Sequence, residues 1–472
     1  MPIDWRRLWL DRSKYLIKNV GLLTISNFSS KILVFLLVPL YTSVLTTAEY
    51  GTYDLIISTI SLLYPLFTLN IVDGVMRFVM DNNSEKRSVI SIGFATICIS
   101  MVIIGILTYC LHLAGIWKGL LVYFLLYYVF YTFNQFFIQT AKGLERVQDM
   151  AIAGVISTVS MLLGNVLLLL VFHMGLSGFF VANILSQGLS ALFFCVRIKV
   201  WRYIIPAHLD KRLGYEMLLY SMPLIATALG WWVNNTLDKY AVAFLCGVAA
   251  NGLLSVSYKI PSILNVAQQI FIQAWQISAI KEYGEHDTSR FYGKTFSMVN
   301  MMMCAFCAGL IFLTRPLAHI LYAKDFYTAW CYVPFLLVSS VFNCAAGLLG
   351  PVLSAKKDTK TMMWSAIIGA IMNAVFNIVL ILMIGVQGAV IATALSSFVI
   401  FAVRLYGTRK DIIIEDKFYI TWLLLILQAT VEVTIGNRVI ELMLCAIMFF
   451  VNKENICAVV EKCRKILSKK GW

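Results

Sequence analysis

Lys31, Lys239, Lys259, Arg77 and Arg315 lie within or at the ends of long apolar segments. A charged side chain at the centre of a membrane helix costs about 2.5–3.5 kcal/mol on insertion scales, so each of these needs a partner or a ligand. Local pairing of Asp238 with Lys259, and of Asp73 with Arg77, would explain part of the set, and Lys239 can snorkel to the interface. Lys31 has no obvious acid. The second informative pattern is amide-rich. At 100° per residue, Ser255, Lys259, Ser262, Asn265, Gln268, Gln269, Gln273 and Gln276 fall on about half of one helix's circumference. Asn27 with Lys31, and Asn234 with Asp238, repeat the idea on two further segments, and Asn373 and Asn377 lie on a fourth. Lipid offers such groups no hydrogen bonds, so they face protein or water. Two chemistries suit them: interhelical hydrogen bonding in a packed bundle, or a wet, net-basic lumen that receives an anionic, hydroxyl-rich cargo.

The segments that hold these residues are membrane spans. The chain is 60% hydrophobic and only 13% charged, with mean hydropathy +0.82, and a crossing of about 30 Å takes roughly 20 apolar residues. Spans are expected from Val20–Leu45 through Ala389–Leu405, twelve in all. A weaker pair follows at Phe418–Ile435 and Val439–Val451, so the expectation is 14 spans, with 12 as the alternative. Most of the 38 Lys and Arg lie at the N-terminus, in the even-numbered connections and in the tail. The positive-inside rule then puts both termini and those connections in the cytoplasm. The net charge of +14 is a topological signal, and no nucleic-acid partner is expected.

Other chemistries are poorly supported. There is no G-x-x-x-x-G-K-[ST], H-E-x-x-H or D-x-D, and the five histidines show no ligand spacing. Cys304 and Cys307 form a C-x-x-C without the second ligand pair a structural zinc needs. No metal, no cofactor and no enzymatic activity are expected. Any pumping draws on an ion gradient or the membrane potential, and Asp238 and Asp73 are the acids available for coupling.

The chain repeats itself. Met174–Ser186 matches Ile384–Ser396 at a constant offset, with Gly175/Gly385, Gly178/Gly388, Ala182/Ala392 and Ser186/Ser396 coinciding. Glu49-Tyr-Gly51 has a fainter echo in Ala250-Asn-Gly252. Two six-span lobes follow, parallel because each has an even number of crossings. The expected layout is an amphipathic cytoplasmic segment at 1–18, an N-lobe at 19–200, a linker at 201–216 and a C-lobe at 217–407. A helix pair at 408–452 and a basic tail at 453–472 complete it.

Pro39-Leu-Tyr-Thr with Glu49-Tyr-Gly-Thr-Tyr53, then Asn235-Thr-Leu-Asp-Lys-Tyr240, Ser257-Tyr-Lys-Ile260 and Gly385-Val-Gln-Gly-Ala-Val-Ile-Ala-Thr393 resemble the Wzx-type polysaccharide flippases. These belong to the multidrug/oligosaccharidyl-lipid/polysaccharide (MOP) exporter superfamily. The resemblance implies an all-α polytopic membrane protein of two pseudo-symmetric lobes. It would move an undecaprenyl-pyrophosphate-linked oligosaccharide to the outer leaflet of the bacterial cytoplasmic membrane by alternating access. Its partners would be that lipid-linked cargo, membrane lipids and other polysaccharide assembly proteins. Lys31, Lys239 and Lys259 fall where the family has basic cavity residues. The rivals are an ion-coupled multidrug or metabolite exporter of the same superfamily and, from another class, a membrane glycan polymerase or ligase. The short external loops speak against the latter.

Overall fold

The structure is a computed structural model that describes residues 35–81, 85–115, 119–204, 210–283, 287–414 and 418–451, the side chains at 270, 273, 274, 277, 280, 281 and 449 excepted. Lys31, Asn27 and the side chain of Gln273 lie outside the described residues. Among those described, every regular element is helical, as a chain must be when lipid cannot satisfy an open strand edge.

The first compact unit covers Met1–Trp232. Its helices are α1 (Val38–Val44), α2 (Thr47–Phe67), α3 (Ile71–Val79), α4 (Lys86–Leu113), α5 (Leu121–Gly143), α6 (Val147–Asn165, ending in a π-turn over Val166–Val171) and α7 (Gly175–Ile198). Thr46 and Glu49 start α2 with a reciprocal capping box, which satisfies two of the orphan N–H groups of the helix end. The second span is broken rather than straight. Leu69 and Asn70 both have positive φ, and α2 and α3 meet at 59°.

The long helix α8 (Lys211–Cys246) carries the chain into the second unit, Val233–Trp472. The division falls inside α8, not in the 201–216 connection where the sequence places a linker. Packing explains this. Met217 belongs to the buried core of the first unit, and the Trp232 indole donates to the Ser58 carbonyl at 2.9 Å. Val242, by contrast, is buried with Leu254, Leu336, Ile381 and Val390. The second unit continues with α9 (Val248–Ser257), α10 (Lys259–Lys281), α11 (Thr288–Phe312) and α12 (Thr314–Leu321). A 3₁₀ segment, Lys324–Tyr332, leads into α13 (Val333–Ala355), and α14 (Thr359–Ile384), α15 (Val386–Thr408), α16 (Phe418–Thr434) and α17 (Arg438–Val451) complete it.

Among the described residues, eight helical segments are long and apolar enough to cross a membrane, or nine when the bent α2–α3 pair counts as one span. Neither α8 nor α9–α10 qualifies. These are the helices whose amides and charges lower the mean hydropathy. Lys324–Ala355 has 89% of its apolar window buried in protein and is the core of its unit, whereas Val147–Val171 has 17% and Thr359–Ile384 22%. The latter two expose their apolar residues, as lipid-facing helices do. The C-terminal helices α16 and α17 pack on α11, and α16 also on α13.

The repeat is structural. Gly175 and Gly385 both take positive φ where a new helix starts, a conformation that glycine adopts without steric cost. A Cβ on Gly178 would stand 3.1 Å from the Leu168 carbonyl oxygen, and one on Gly388 2.1 Å from that of Leu380. Each glycine lets its helix close on the preceding one. Ser186 then bonds Ser157, and Ser396 accepts from Asn373. Gly51 and Gly252 likewise are each the fifth residue of their helix, α2 and α9.

Candidate functional site

The second unit contains a polar surface centred on the break between α9 and α10. Helix α9 ends at Ser257, Tyr258 leaves the helical run, and α10 restarts at Lys259. A break inside a membrane helix frees backbone groups and is tolerated where protein or water can satisfy them. The Tyr258 hydroxyl donates to the Asp238 carboxylate, which also accepts from the Lys239 N–H at 3.1 Å. Asp238 is 4% exposed. The expected pairing of Asp238 with Lys259 does not form: the tyrosine occupies the acid. Lys259 is half-buried, and its ammonium has neither an ion pair nor a hydrogen bond among the described residues.

The amide face of α10 divides into two. Ser262, Gln269 and Gln276 are exposed, and Lys259 and Asn265 are half-buried. Ser255 and Gln268 turn inward instead: Ser255 bonds Asn251, and Gln268 is buried near Gly347 of α13. The inward pair serves packing, so the open face is narrower than the half circumference read from the sequence. On α8, Asn234 and Lys239 are half-buried. Asn377 donates to Asn373 at 2.9 Å, and Asn373 donates onward to Ser396, which makes these two asparagines a bundle hydrogen-bond chain.

Arg315 is committed elsewhere. Its Nε lies 3.0 Å from Glu432 Oε1, an ion pair although not aligned as a hydrogen bond. Its Nη2 donates to the Glu432 carbonyl at 2.9 Å, and its guanidinium stacks 4.3 Å over the Trp330 ring. Gly436, at φ +63°, leaves room that a Cβ would close. Arg438 reaches Glu441 at 3.6 Å and donates to the Phe312 carbonyl, so two arginines neutralise two fully buried glutamates. This cluster fastens α16 to α12 and α17 to the end of α11, and it engages Arg315 with protein.

In the first unit Asp73 does not pair with Arg77. It accepts from Asn70 at 2.8 Å and Gln139 at 2.7 Å, while Arg77 is exposed. Tyr127 is 7% exposed and stacks on Tyr131 with centroids 6.0 Å apart, so its ring face is already occupied by protein.

Long apolar helices, one pair of them bent at 59°, carry these polar faces. The fold is shared with solved membrane transporters at low sequence identity. The chain superposes on the lipid II flippase MurJ in an inward closed conformation with TM-score 0.69, at 15% identity, over 92% of this chain and 98% of that one. It superposes on an inward-facing multidrug resistance MATE family transporter with TM-score 0.68, at 14% identity, over 82% and 97%. The chain belongs to the polysaccharide biosynthesis protein family, whose model matches residues 16–276. It is also 22% identical over 312 residues to the probable low-salt glycan biosynthesis flippase Agl15 of Haloferax volcanii, spanning 63% of each chain and so less than two thirds of that relative.

Proposed function

We propose that this protein is a flippase that moves a lipid-linked oligosaccharide, with an undecaprenyl-pyrophosphate carrier, from the cytoplasmic to the outer leaflet of a bacterial cytoplasmic membrane. The observation that carries the reading is Lys259: a half-buried ammonium at a helix break, left without an acid because Tyr258 holds Asp238, at the start of the helix that carries the exposed amides Gln269 and Gln276. A cation so placed needs an anion, and a pyrophosphate followed by sugars supplies the anion and then the hydroxyls. Family membership and the printed roles of Agl15 and MurJ support the same cargo class. Alternating exposure of this face to the two sides of the membrane, driven by an ion gradient or the membrane potential, completes the cycle. Both termini are cytoplasmic, and other polysaccharide assembly proteins act alongside. The test is reconstitution into vesicles with a fluorescent polyprenyl-diphosphate oligosaccharide. Its arrival in the outer leaflet is followed by an added glycan-cleaving enzyme. A rate no faster than in protein-free vesicles overturns the proposal.

The buried Asp238 favours a second reading, an ion-coupled exporter of small molecules, because a membrane acid is the natural carrier of a coupling ion. Gradient-driven drug uptake into inverted vesicles, abolished by Asp238→Asn and indifferent to Lys259→Gln, would establish it.

A further inference from the structure

Arg404 lies about one turn before the end of α15, where it meets Ser365 in the second turn of α14 and Ala346 in the middle of α13. Its Nε donates to Ser365 Oγ at 3.1 Å and its Nη1 to the Ala346 carbonyl at 2.8 Å. Ser365 and Ala346 are both buried, so two neutral groups on different helices fix the inner edge of the guanidinium. A guanidinium has five N–H donors and does not deprotonate in proteins. Both donors on Nη2 and one on Nη1 are therefore left over, and no carboxylate reaches Arg404 among the described residues.

The surroundings reinforce the imbalance. Lys357, Lys360, Arg409 and Lys410 lie at the same end of the unit and are exposed. Among the described residues, two acids at this end are engaged: Asp411 pairs with Lys356 at 3.0 Å, and Asp358 caps α14 through the Thr361 N–H and hydroxyl. A surface with cations in excess attracts anions at a membrane. A pre-oriented guanidinium fork suits the paired oxygens of a phosphate better than an ammonium does.

We propose that Arg404, braced by Ser365 and Ala346, forms a phosphate-binding site at the basic end of the second unit, filled by an anionic phospholipid headgroup or by a soluble diphosphate. This site is separate from Lys259 and stands whether or not the transport reading holds. Its ligand is defined by two oxygens of one phosphate group meeting the open side of the fork.

The experiment uses the purified full chain. One arm titrates inorganic pyrophosphate in neutral detergent. The other compares nanodiscs of phosphatidylcholine alone with nanodiscs containing phosphatidylglycerol. Both read the shift in melting temperature. Arg404→Gln should weaken the response about tenfold or more, as expected for loss of charge-assisted hydrogen bonds. Arg404→Lys should fall between, and Arg212→Gln, an exposed cation of the first unit, should match the unaltered protein. A response to pyrophosphate assigns a soluble diphosphate; a response confined to phosphatidylglycerol assigns a lipid headgroup. Equal responses from the unaltered protein and Arg404→Gln, or no response in either arm, overturn the site. If Arg404→Gln fails to accumulate, Arg404→Lys carries the test, and an unaltered response from it refutes the fork.

Discussion

The Tyr258 hydroxyl donates to the buried carboxylate of Asp238, and the residue after that tyrosine, Lys259, is consequently left with its charge unanswered. A tyrosine at the helix break thus separates two groups of opposite charge that the sequence places close enough to cancel. The acid is stabilised by a neutral donor, and the ammonium remains available to a ligand.

This separation predicts how substitutions combine. Lys259→Ala and Lys259→Gln should lower flipping about 10–100-fold, the worth of a charge-assisted contact, while Lys259→Arg retains more activity than Lys259→Gln. Were the two groups an ion pair, Asp238→Asn would restore a Lys259→Gln protein. No such rescue is expected, because the partner of Asp238 is Tyr258. Initial rates in reconstituted vesicles decide the matter, and recovery in the double variant would restore the pairing.

Reactivity along α10 should follow the divided face. In a background without the 11 native cysteines, Gln269→Cys and Gln276→Cys should react readily with a polar thiol reagent, and Gln268→Cys and Leu264→Cys slowly. Gln268 and Leu264 are buried in their own unit. Similar rates at 268 and 269 would contradict the assignment of Gln268 to packing.

Arg315 should behave as a structural residue. Removing one partner of a buried ion pair costs about 3–5 kcal/mol, whereas replacing both by apolar residues is often neutral. Arg315→Ala should therefore lower the melting temperature markedly, and Arg315→Met combined with Glu432→Met should recover most of it with unchanged cargo binding. Loss of binding in that stable double variant would return Arg315 to the cargo site.

Two linked ends of the basic surface give a pH dependence outside the spans. Backbone and side-chain hydrogen bonds from Thr361 hold the Asp358 carboxyl below its usual value. Its contribution is present above the unfolded pKa of about 3.9 and disappears as pH falls through the lower folded value. The hydrogen bond to Asp411 raises the Lys356 pKa; that contribution is present below the unfolded pKa of about 10.4 and fades as pH rises through the folded value. Melting curves of Asp358→Asn should lose the acidic limb alone. An unchanged acidic limb would show that Asp358 does not contribute to it.

Much of the fold was readable because membrane physics leaves few choices. Spans announce themselves by apolar length, and the repeat by glycines whose positive φ or missing Cβ the hairpins at 175 and 385 require. The break at Leu69–Asn70 was only partly marked: Pro65 sits inside the last turns of α2, and Asn70 takes the left-handed conformation that asparagine tolerates, but no glycine or proline stands at the bend itself. Partners of charges were the weakest inference. Helical spacing can place Asp238 near Lys259, but not tell that Tyr258 reaches the acid first. Glu432 was visible as an acid in an apolar helix, and such an acid demands a cation; its match with Arg315 depends on how α16 and α12 pack, which no local pattern encodes. Arg404 was hidden differently. It counts among the basic residues that set topology, and only its neutral partners Ser365 and Ala346 separate it from the solvated ones.

The repeated glycines give the last prediction, a comparison between equivalent sites. At Gly175 and Gly385 a Cβ meets nothing within 4 Å, so alanine there incurs only backbone strain: positive φ at Gly175, and at Gly385 (φ 64°, ψ −145°) a region adopted almost only by glycine, about 1–3 kcal/mol each. At Gly178 and Gly388 the cost is close approach of helix to helix. The Leu380 carbonyl oxygen lies 2.1 Å from the ideal Cβ of Gly388, and that of Leu168 lies 3.1 Å from the Cβ of Gly178. Backbone cannot rotate away as a side chain can, and overpacking of this kind costs typically about 1–3 kcal/mol or more. Gly388→Ala should therefore destabilise most, ahead of Gly178→Ala, even though the two positions are related by the repeat. Thermal unfolding of the four alanine variants ranks them directly. Equal losses at 178 and 388 would mean that the tighter closure of α14 on α15 carries no energetic weight.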